Sequence, residues 1–369
     1  MKNKSVLQSN SQPGFLAKIC NISTKERATT SGRNQQAKNG RFLVVLGLLM
    51  ILFAATGCGG NGSDPALSQS EELTPVTVTL DWTPNTNHTG LYVAAELGYY
   101  KEAGLDVTIV QPAGGTAEQL VAADQAQFGI SYQEGVTYAR SGGIPVVSIA
   151  AVIQNNTSGF ASLAEKQIET PADFAGKRYG GWGSPIEEAT IAALMKDYQA
   201  DIADVEILTT GAIDFFALSE KSADFSWIFY GWDGIAAEIR GIELNYIDLG
   251  TYNEIFNYYT PVLITSEMMI AQNSDLVQSF MEATIRGYQF AMDNPQKAAD
   301  VLLAAAPELD PDLVRASQEW LAPRYQDQAQ VWGLQDETVW QRYTDWLVEQ
   351  GLLDQPIDVS EAFTNQFLQ

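Results

Sequence analysis

Four short stretches of this chain hold side chains able to do chemistry, and they share a palette. Asp81-Trp82-Thr83-Pro84-Asn85-Thr86-Asn87-His88-Thr89 brings together a carboxylate, an indole, amides, hydroxyls and the single histidine. Tyr132-Gln133-Glu134 sets a phenol beside an amide and an acid. Gly180-Gly181-Trp182-Gly183 places a second indole in a glycine-rich turn, and Tyr230-Gly231-Trp232-Asp233 repeats the aromatic–acid combination. Indoles and phenols offer stacking faces, while amides and carboxylates pair with ring nitrogens and exocyclic amines. The pattern suits a flat polar heterocycle. Predicted ligand contacts are Asp81, Trp82, Asn87, His88, Tyr132, Glu134, Gly181, Trp182, Glu187, Tyr230, Trp232 and Asp233. Glu134, beside Tyr132, is the expected acceptor for an exocyclic amine. Glycines at 180–183 would let a ligand approach backbone N–H groups.

Plainer readings stand beside these. Asn85, Thr86 and Asn87 are ordinary turn and cap residues. Ser184-Pro185-Ile186-Glu187 reads as a capping box, with Pro at the first helical position and Glu reaching back. Asp233 can cap the helix that follows it. Trp320, Trp332, Trp340 and Trp346 lie on helical periods and read as packing residues. One histidine cannot build a multi-histidine metal site, so no metal, cofactor or catalytic residue is assigned.

The elements needed to position these loops are legible in the apolar patterning. Val76–Leu80 alternates as a strand, Gly90–Gly98 has helical spacing, and Asp106–Val110 reads as the next strand. That is a βαβ unit with a right-handed crossover and parallel strands. Ligands of such sheets sit beyond the carboxyl ends of the strands, where all four loops fall. Phe128–Tyr132 and Pro145–Val152 continue the first lobe, and the crossing into the second is expected near Leu163–Lys166. Val205–Thr209, Phe225–Tyr230 and Leu244–Leu249 are strands of the second lobe, and the chain returns near Tyr258–Thr265. The rest is helical. The expected architecture is α/β, two-lobed, of the type II-like periplasmic-binding-protein kind, with a hinge and an interlobe ligand cleft. Residues 75–165 and 258–369 form lobe 1 and residues 166–257 lobe 2.

The amino-terminal end has a different character. Up to Arg41 it carries eight basic residues against Glu26 alone, then an apolar run from Phe42 to Ala55, then Thr56-Gly57-Cys58. That run is too short for a bilayer-spanning helix, which needs roughly 20 residues, so residues 1–57 read as a secretory signal. Cys58 is the expected lipidation site, and 58–74 a polar tether that keeps the body off the membrane. Membrane anchoring without a lipid is the other possibility. Without the leader's eight basic and one acidic residues, the 21 and 45 of the whole chain leave a body near −31. Such a field excludes a nucleic-acid binder, which needs basic surface to displace counterions. Of the two cysteines, Cys20 lies in the leader and Cys58 precedes the tether. The body therefore has no disulfide, Zn–thiolate site or cysteine nucleophile.

The run Asp81-Trp82-Thr83-Pro84-Asn85-Thr86-Asn87-His88-Thr89-Gly90-Leu91-Tyr92-Val93-Ala94 resembles the signature of thiamine-pyrimidine-precursor binding proteins, the substrate-binding components of ABC importers. The resemblance extends from Val76 to the Phe363-Thr364-Asn365 tail, with Thr170–Arg178 similar to the family's entry into lobe two. Ala55-Thr56-Gly57-Cys58 resembles a bacterial lipobox, with Ala where Leu is usual. The resemblance implies a lipid-anchored, exported receptor. It would deliver an aminopyrimidine of the formylaminopyrimidine or hydroxymethylpyrimidine type to a permease and its ATPase. Related fungal synthases imply an alternative, an enzyme using a lysine-bound pyridoxal phosphate, a histidine in the position of His88 and a cysteine-rich iron motif. The body lacks cysteine, and no lysine occurs between Val76 and Tyr100. Relatives that bind riboflavin, alkyl sulfonates, taurine or nitrate imply a third class. An anion site should show a cationic clamp, which the loops lack, whereas a flavin would suit the same aromatics.

Overall fold

The computed structural model describes residues 72–111, 115–211 and 213–369. The leader, Cys58, the tether up to residue 71 and the start of the loop at Pro112–Gly114 lie outside the described residues.

Ten strands form two five-stranded sheets. In the first, β1 (Thr74–Thr79) lies between β2 (Leu105–Val110) and β3 (Phe128–Ser131), parallel to both. β10 (Val262–Ser266) runs antiparallel between β3 and β4 (Val146–Ala151). The second sheet has the order β7-β6-β8-β5-β9. Its members are β5 (Ser158–Leu163), β6 (Arg178–Gly181), β7 (Glu206–Thr209), β8 (Phe225–Phe229) and β9 (Leu244–Asp248). Here β5 is the antiparallel strand, set between β8 and β9. Each sheet thus takes its antiparallel strand from the first segment to arrive from the other sheet.

One boundary differs from the expectation. Residues 158–163 fall inside the expected lobe 1 segment 75–165, yet β5 pairs wholly within the second sheet, so the first crossing is residues 152–157 rather than Leu163–Lys166. The segment Ser158-Gly159-Phe160-Ala161-Ser162-Leu163 is nearly all buried, its hydroxyls included. A strand covered on both faces by small residues has neither the alternation nor the β-branched run that marks a strand.

The helices carry the cores. α1 (Thr89–Glu96) packs on α5 (Ser274–Asp293), whose apolar face is Val277, Phe280, Met281 and Tyr288. α2 (Gln133–Ser141) follows β3 and α3 (Pro185–Asp197) follows β6; α4 (Ile235–Arg240) follows β8. After α5 come α6 (Pro295–Ala305), α7 (Pro311–Leu321) and α8 (Glu337–Glu349). These last helices serve both sheets: α7 touches α4 and the turn after β8, and α8 touches the Glu254–Phe256 segment. Trp332, Trp340 and Trp346 are buried, as packing residues should be. Among the described residues no helix is long and apolar enough to cross a membrane.

Candidate functional site

The loop after β1 is built on an internal triad. Asp81 receives His88 Nε2 on Oδ1 at 2.6 Å and the Tyr132 hydroxyl on Oδ2 at 2.7 Å. The backbone N–H of Asn85 donates to His88 Nδ1 at 3.3 Å, which leaves Nε2 to donate to Asp81. Burial pulls the Asp81 carboxyl upward. The facing His88 and the bonds from His88 and Tyr132 outweigh it and hold the acid below its ordinary 3.8. Burial and the Asp81 charge push the Tyr132 phenol well above 10.

Asn85 sets the turn that aims His88. Its side chain accepts the Asn87 N–H at 2.9 Å and donates to Thr83 O at 3.0 Å. The Tyr288 hydroxyl ties the Asn87 carbonyl at 2.7 Å. Gly90 follows because α5 lies so close that a Cβ there would enter the Tyr288 ring.

This geometry gives two of the expected contacts an internal role. Both Asp81 oxygens and both His88 nitrogens are in use, and His88 is 0 % exposed. These bonds hold the loop, and each Asp81 oxygen keeps a further acceptor site. What the loop offers outward is Trp82, 48 % exposed, and the side-chain amide of Asn87, whose backbone is already engaged.

The glycine-rich turn after β6 is organised from inside by Glu187. Its Oε1 accepts the Tyr179 hydroxyl and the Trp182 N–H, and its Oε2 accepts the N–H groups of Gly183 and Ser184, both at 2.7 Å. Glu187 is 2 % exposed. It is therefore more than the helix cap: its four acceptor sites are used by the turn. Those N–H groups are not free for a ligand either. Gly181 is glycine because a Cβ would collide with the Glu187 carboxylate and the Tyr179 ring, not to admit a ligand. The turn presents Trp182, 46 % exposed, edge-on to Trp227 at 5.6 Å between centroids.

The third element is α2. Gln133 is structural, bonded to both the N–H and the carbonyl side of Tyr259 and to Val339 O. Glu134 is different: its Oε2 is buried with no partner. The phenols of Tyr132, Tyr138, Tyr258 and Tyr343 lie close enough to feel its charge. Burial pushes the Glu134 carboxyl up to about 8, its own backbone N–H opposes this, and the Glu118 charge adds to it. Its Oε2 is enclosed although the residue as a whole is half-buried, and the raised value favours the neutral acid near neutral pH. Tyr138, Trp227, Tyr258 and Tyr343 belong to one apolar cluster.

The fourth loop meets the first through one side chain, Ser317. Residues Tyr230–Gly234 form a π-helical turn that sends Tyr230 against Tyr246 and Trp320, its hydroxyl on Glu238 at 2.6 Å. Trp232 packs against Ala299, Leu302 and Val314 of the carboxyl-terminal helices. Asp233 accepts the Phe229 N–H at 3.3 Å, and burial pushes it up to about 6. Tyr230 and Trp232 belong to the contact between the turn and α7, while Asp233 folds back on β8. The Ser317 hydroxyl bonds both Thr86 and the Gly231 carbonyl there. Tyr230 also lines a depression of about 650 Å³ with Glu238 and Tyr246.

Trp227, Tyr138, Tyr258 and Tyr343 had no site assignment from sequence. Trp227 sits inside an apolar strand and the tyrosines on three separate segments, so spacing carried no signal. No cluster of three or more His, Cys, Asp or Glu suited to a metal occurs among the described residues.

Residues 85–298 match the family described as NMT1/THI5 like. A formylaminopyrimidine-binding protein of Halalkalibacterium halodurans is 31% identical over 330 residues, covering 88% of this chain and 98% of the relative. A riboflavin-binding protein RibY of Chloroflexus aurantiacus is 27% identical, covering 88% and 97%. A 4-amino-5-hydroxymethyl-2-methylpyrimidine phosphate synthase of Legionella pneumophila is 24% identical, covering 82% and 95%. Among solved structures, the periplasmic aliphatic sulphonate binding protein SsuA of Escherichia coli superposes with TM-score 0.62 at 14% identity, covering 80% of this chain and 99% of that one. The last shows the architecture alone: the two-lobed periplasmic-binding-protein fold.

Proposed function

Because the chain belongs to the NMT1/THI5-like family, we propose that it is the substrate-binding component of an ABC importer for a pyrimidine precursor of thiamine. The ligand is an aminopyrimidine of the formylaminopyrimidine or hydroxymethylpyrimidine type. The receptor is exported and held to the membrane by a lipid on Cys58, and it delivers its ligand to a permease and ATPase. The observation that carries this reading is the pair of exposed indoles, Trp82 and Trp182, set at the carboxyl ends of β1 and β6 in different sheets. Stacking faces on separate lobes suit a flat ring captured by closure. Asn87 and Glu134 supply the polar reading of its edge.

A binding role, without chemistry, is supported by how the reactive-looking groups are used. His88 is buried with both nitrogens engaged, and the body contains no cysteine. Riboflavin is the second reading, favoured by the same exposed indoles and by the riboflavin-binding relative. Calorimetric titration with 4-amino-5-hydroxymethyl-2-methylpyrimidine, its formylated amine analogue, riboflavin and an alkyl sulfonate decides among them. The pyrimidines should bind, and Trp82→Ala and Trp182→Ala should each weaken them by roughly 1–2 kcal/mol. Binding of riboflavin or the sulfonate alone would overturn the assignment.

A further inference from the structure

We propose that Glu134 binds the ligand as a neutral carboxylic acid, donating one hydrogen bond and accepting another. It would thereby select a heterocyclic edge on which a ring nitrogen lies beside an amino group. The inference rests on the pyrimidine reading above and concerns how that ligand is recognised.

The geometry points to it in three ways. Glu134 Oε2 is buried and makes no hydrogen bond within the protein, and neither does the nearby Tyr343 hydroxyl. A buried polar atom left so costs free energy until a ligand meets it. The enclosure is phenolic and acidic, with no cation among the groups acting on Glu134. From its own helix come Tyr132, at the cap, and Tyr138; Tyr258 comes from the return crossing and Tyr343 from α8. Glu118 faces it from the Ala117–Ala122 helix and takes the Ser131 hydroxyl. Arg342, on the same helix as Tyr343, is paired with Glu254. A carboxylate here would have no counter-charge, and burial accordingly pushes the acid up to about 8. Tyr132 and Tyr138 are raised as well, and Asp81 is lowered, so neither the phenols nor Asp81 titrates near that value.

A neutral acid has one O–H donor and one carbonyl acceptor in a fork. A ring nitrogen beside an exocyclic amine is its complement, whereas a carboxylate would accept from the amine and repel the ring nitrogen. Glutamine carries the same donor–acceptor pair and cannot ionise, which makes Glu134→Gln the discriminating variant.

The test is calorimetric titration of 4-amino-5-hydroxymethyl-2-methylpyrimidine into the wild type and Glu134→Gln, from about pH 6.5 to about pH 9.5. Wild-type affinity should hold to about pH 8 and then fall about tenfold per pH unit. The variant should bind within a few-fold of wild type at neutral pH and show no such fall. Wild-type affinity flat to the top of the range, with the variant weakened at every pH, would mean that the carboxylate is the working form. A fall persisting unchanged in the variant would assign the titration to another group, and either result overturns the proposal. A separate arm follows the Glu134 carboxyl carbon by NMR in the unliganded protein, assigned by its loss in the variant. A midpoint near about 8 is expected, and one near the ordinary acid value also overturns the proposal. If no pyrimidine binds at any pH, the ligand reading falls and this proposal falls with it. The NMR midpoint then still shows whether the acid is neutral.

Discussion

At the scale of single residues, the groups most easily mistaken for ligand contacts are those bonded to one another. Asp81 accepts His88 and Tyr132 while buried, so Asp81→Asn leaves an amide N–H facing a donor. It should cost about 3 kcal/mol in denaturant melts at neutral pH. The folded-state acid lies below 3.8, so its contribution is present above that value and lost as pH falls through the folded-state pKa. The gap between wild type and variant should close under acid; a gap constant down to strong acid would refute the pairing. Glu134 has the opposite sign. The unfolded chain releases its proton near 4.5, whereas the folded one keeps it to about 8, so the folded state binds more protons and stability drops as pH rises between the two. Glu134→Gln should therefore melt higher than the unliganded wild type above pH 8, and equal or lower melting would contradict its burial as an acid. The sequence showed that residues 81–89 carried chemistry. It could not show that Asp81 is consumed by a tyrosine 51 positions away, because pairing across the sheet leaves no mark on local spacing.

Among the elements, turns rather than strands decide what is presented. Ser184-Pro185-Ile186-Glu187 was readable as a helix start, and the cap is present. The same carboxylate also gathers the N–H groups of Trp182, Gly183 and Ser184, which a capping pattern does not announce. Glu187→Ala leaves these donors and the Tyr179 hydroxyl without their acceptor. It should cost roughly 2–3 kcal/mol and alter the emission of Trp182. Unchanged stability and emission would mean that the turn is held by other contacts. β5 shows the limit of pattern: its Ser, Gly and Ala residues belong to a strand only because both faces are covered. The π-helical turn after β8 is a similar case, turning Tyr230 and Trp232 toward α7.

Over the whole molecule, the two sheets are joined by the crossings at residues 152–157 and 249–261 and by a further contact remote from both in sequence. Trp232, with Ser317 bridging Thr86 and Gly231, ties the second sheet's turn to the carboxyl-terminal helices. Trp232→Ala removes a half-buried indole and should lower stability by about 2 kcal/mol. Closure on ligand should shrink the radius of gyration in solution scattering, less so in this variant if the contact helps to set the closed arrangement. An unchanged radius with and without ligand would contradict closure. The central claim, capture of an aminopyrimidine without turning it over, is tested most directly by mass spectrometry. The purified protein is incubated with 4-amino-5-hydroxymethyl-2-methylpyrimidine and its formylated amine analogue, freed of excess by gel filtration, and denatured to release what it holds. The account predicts about one equivalent of pyrimidine per chain with its mass unchanged. Retention of neither compound, or release of an altered mass, would contradict it.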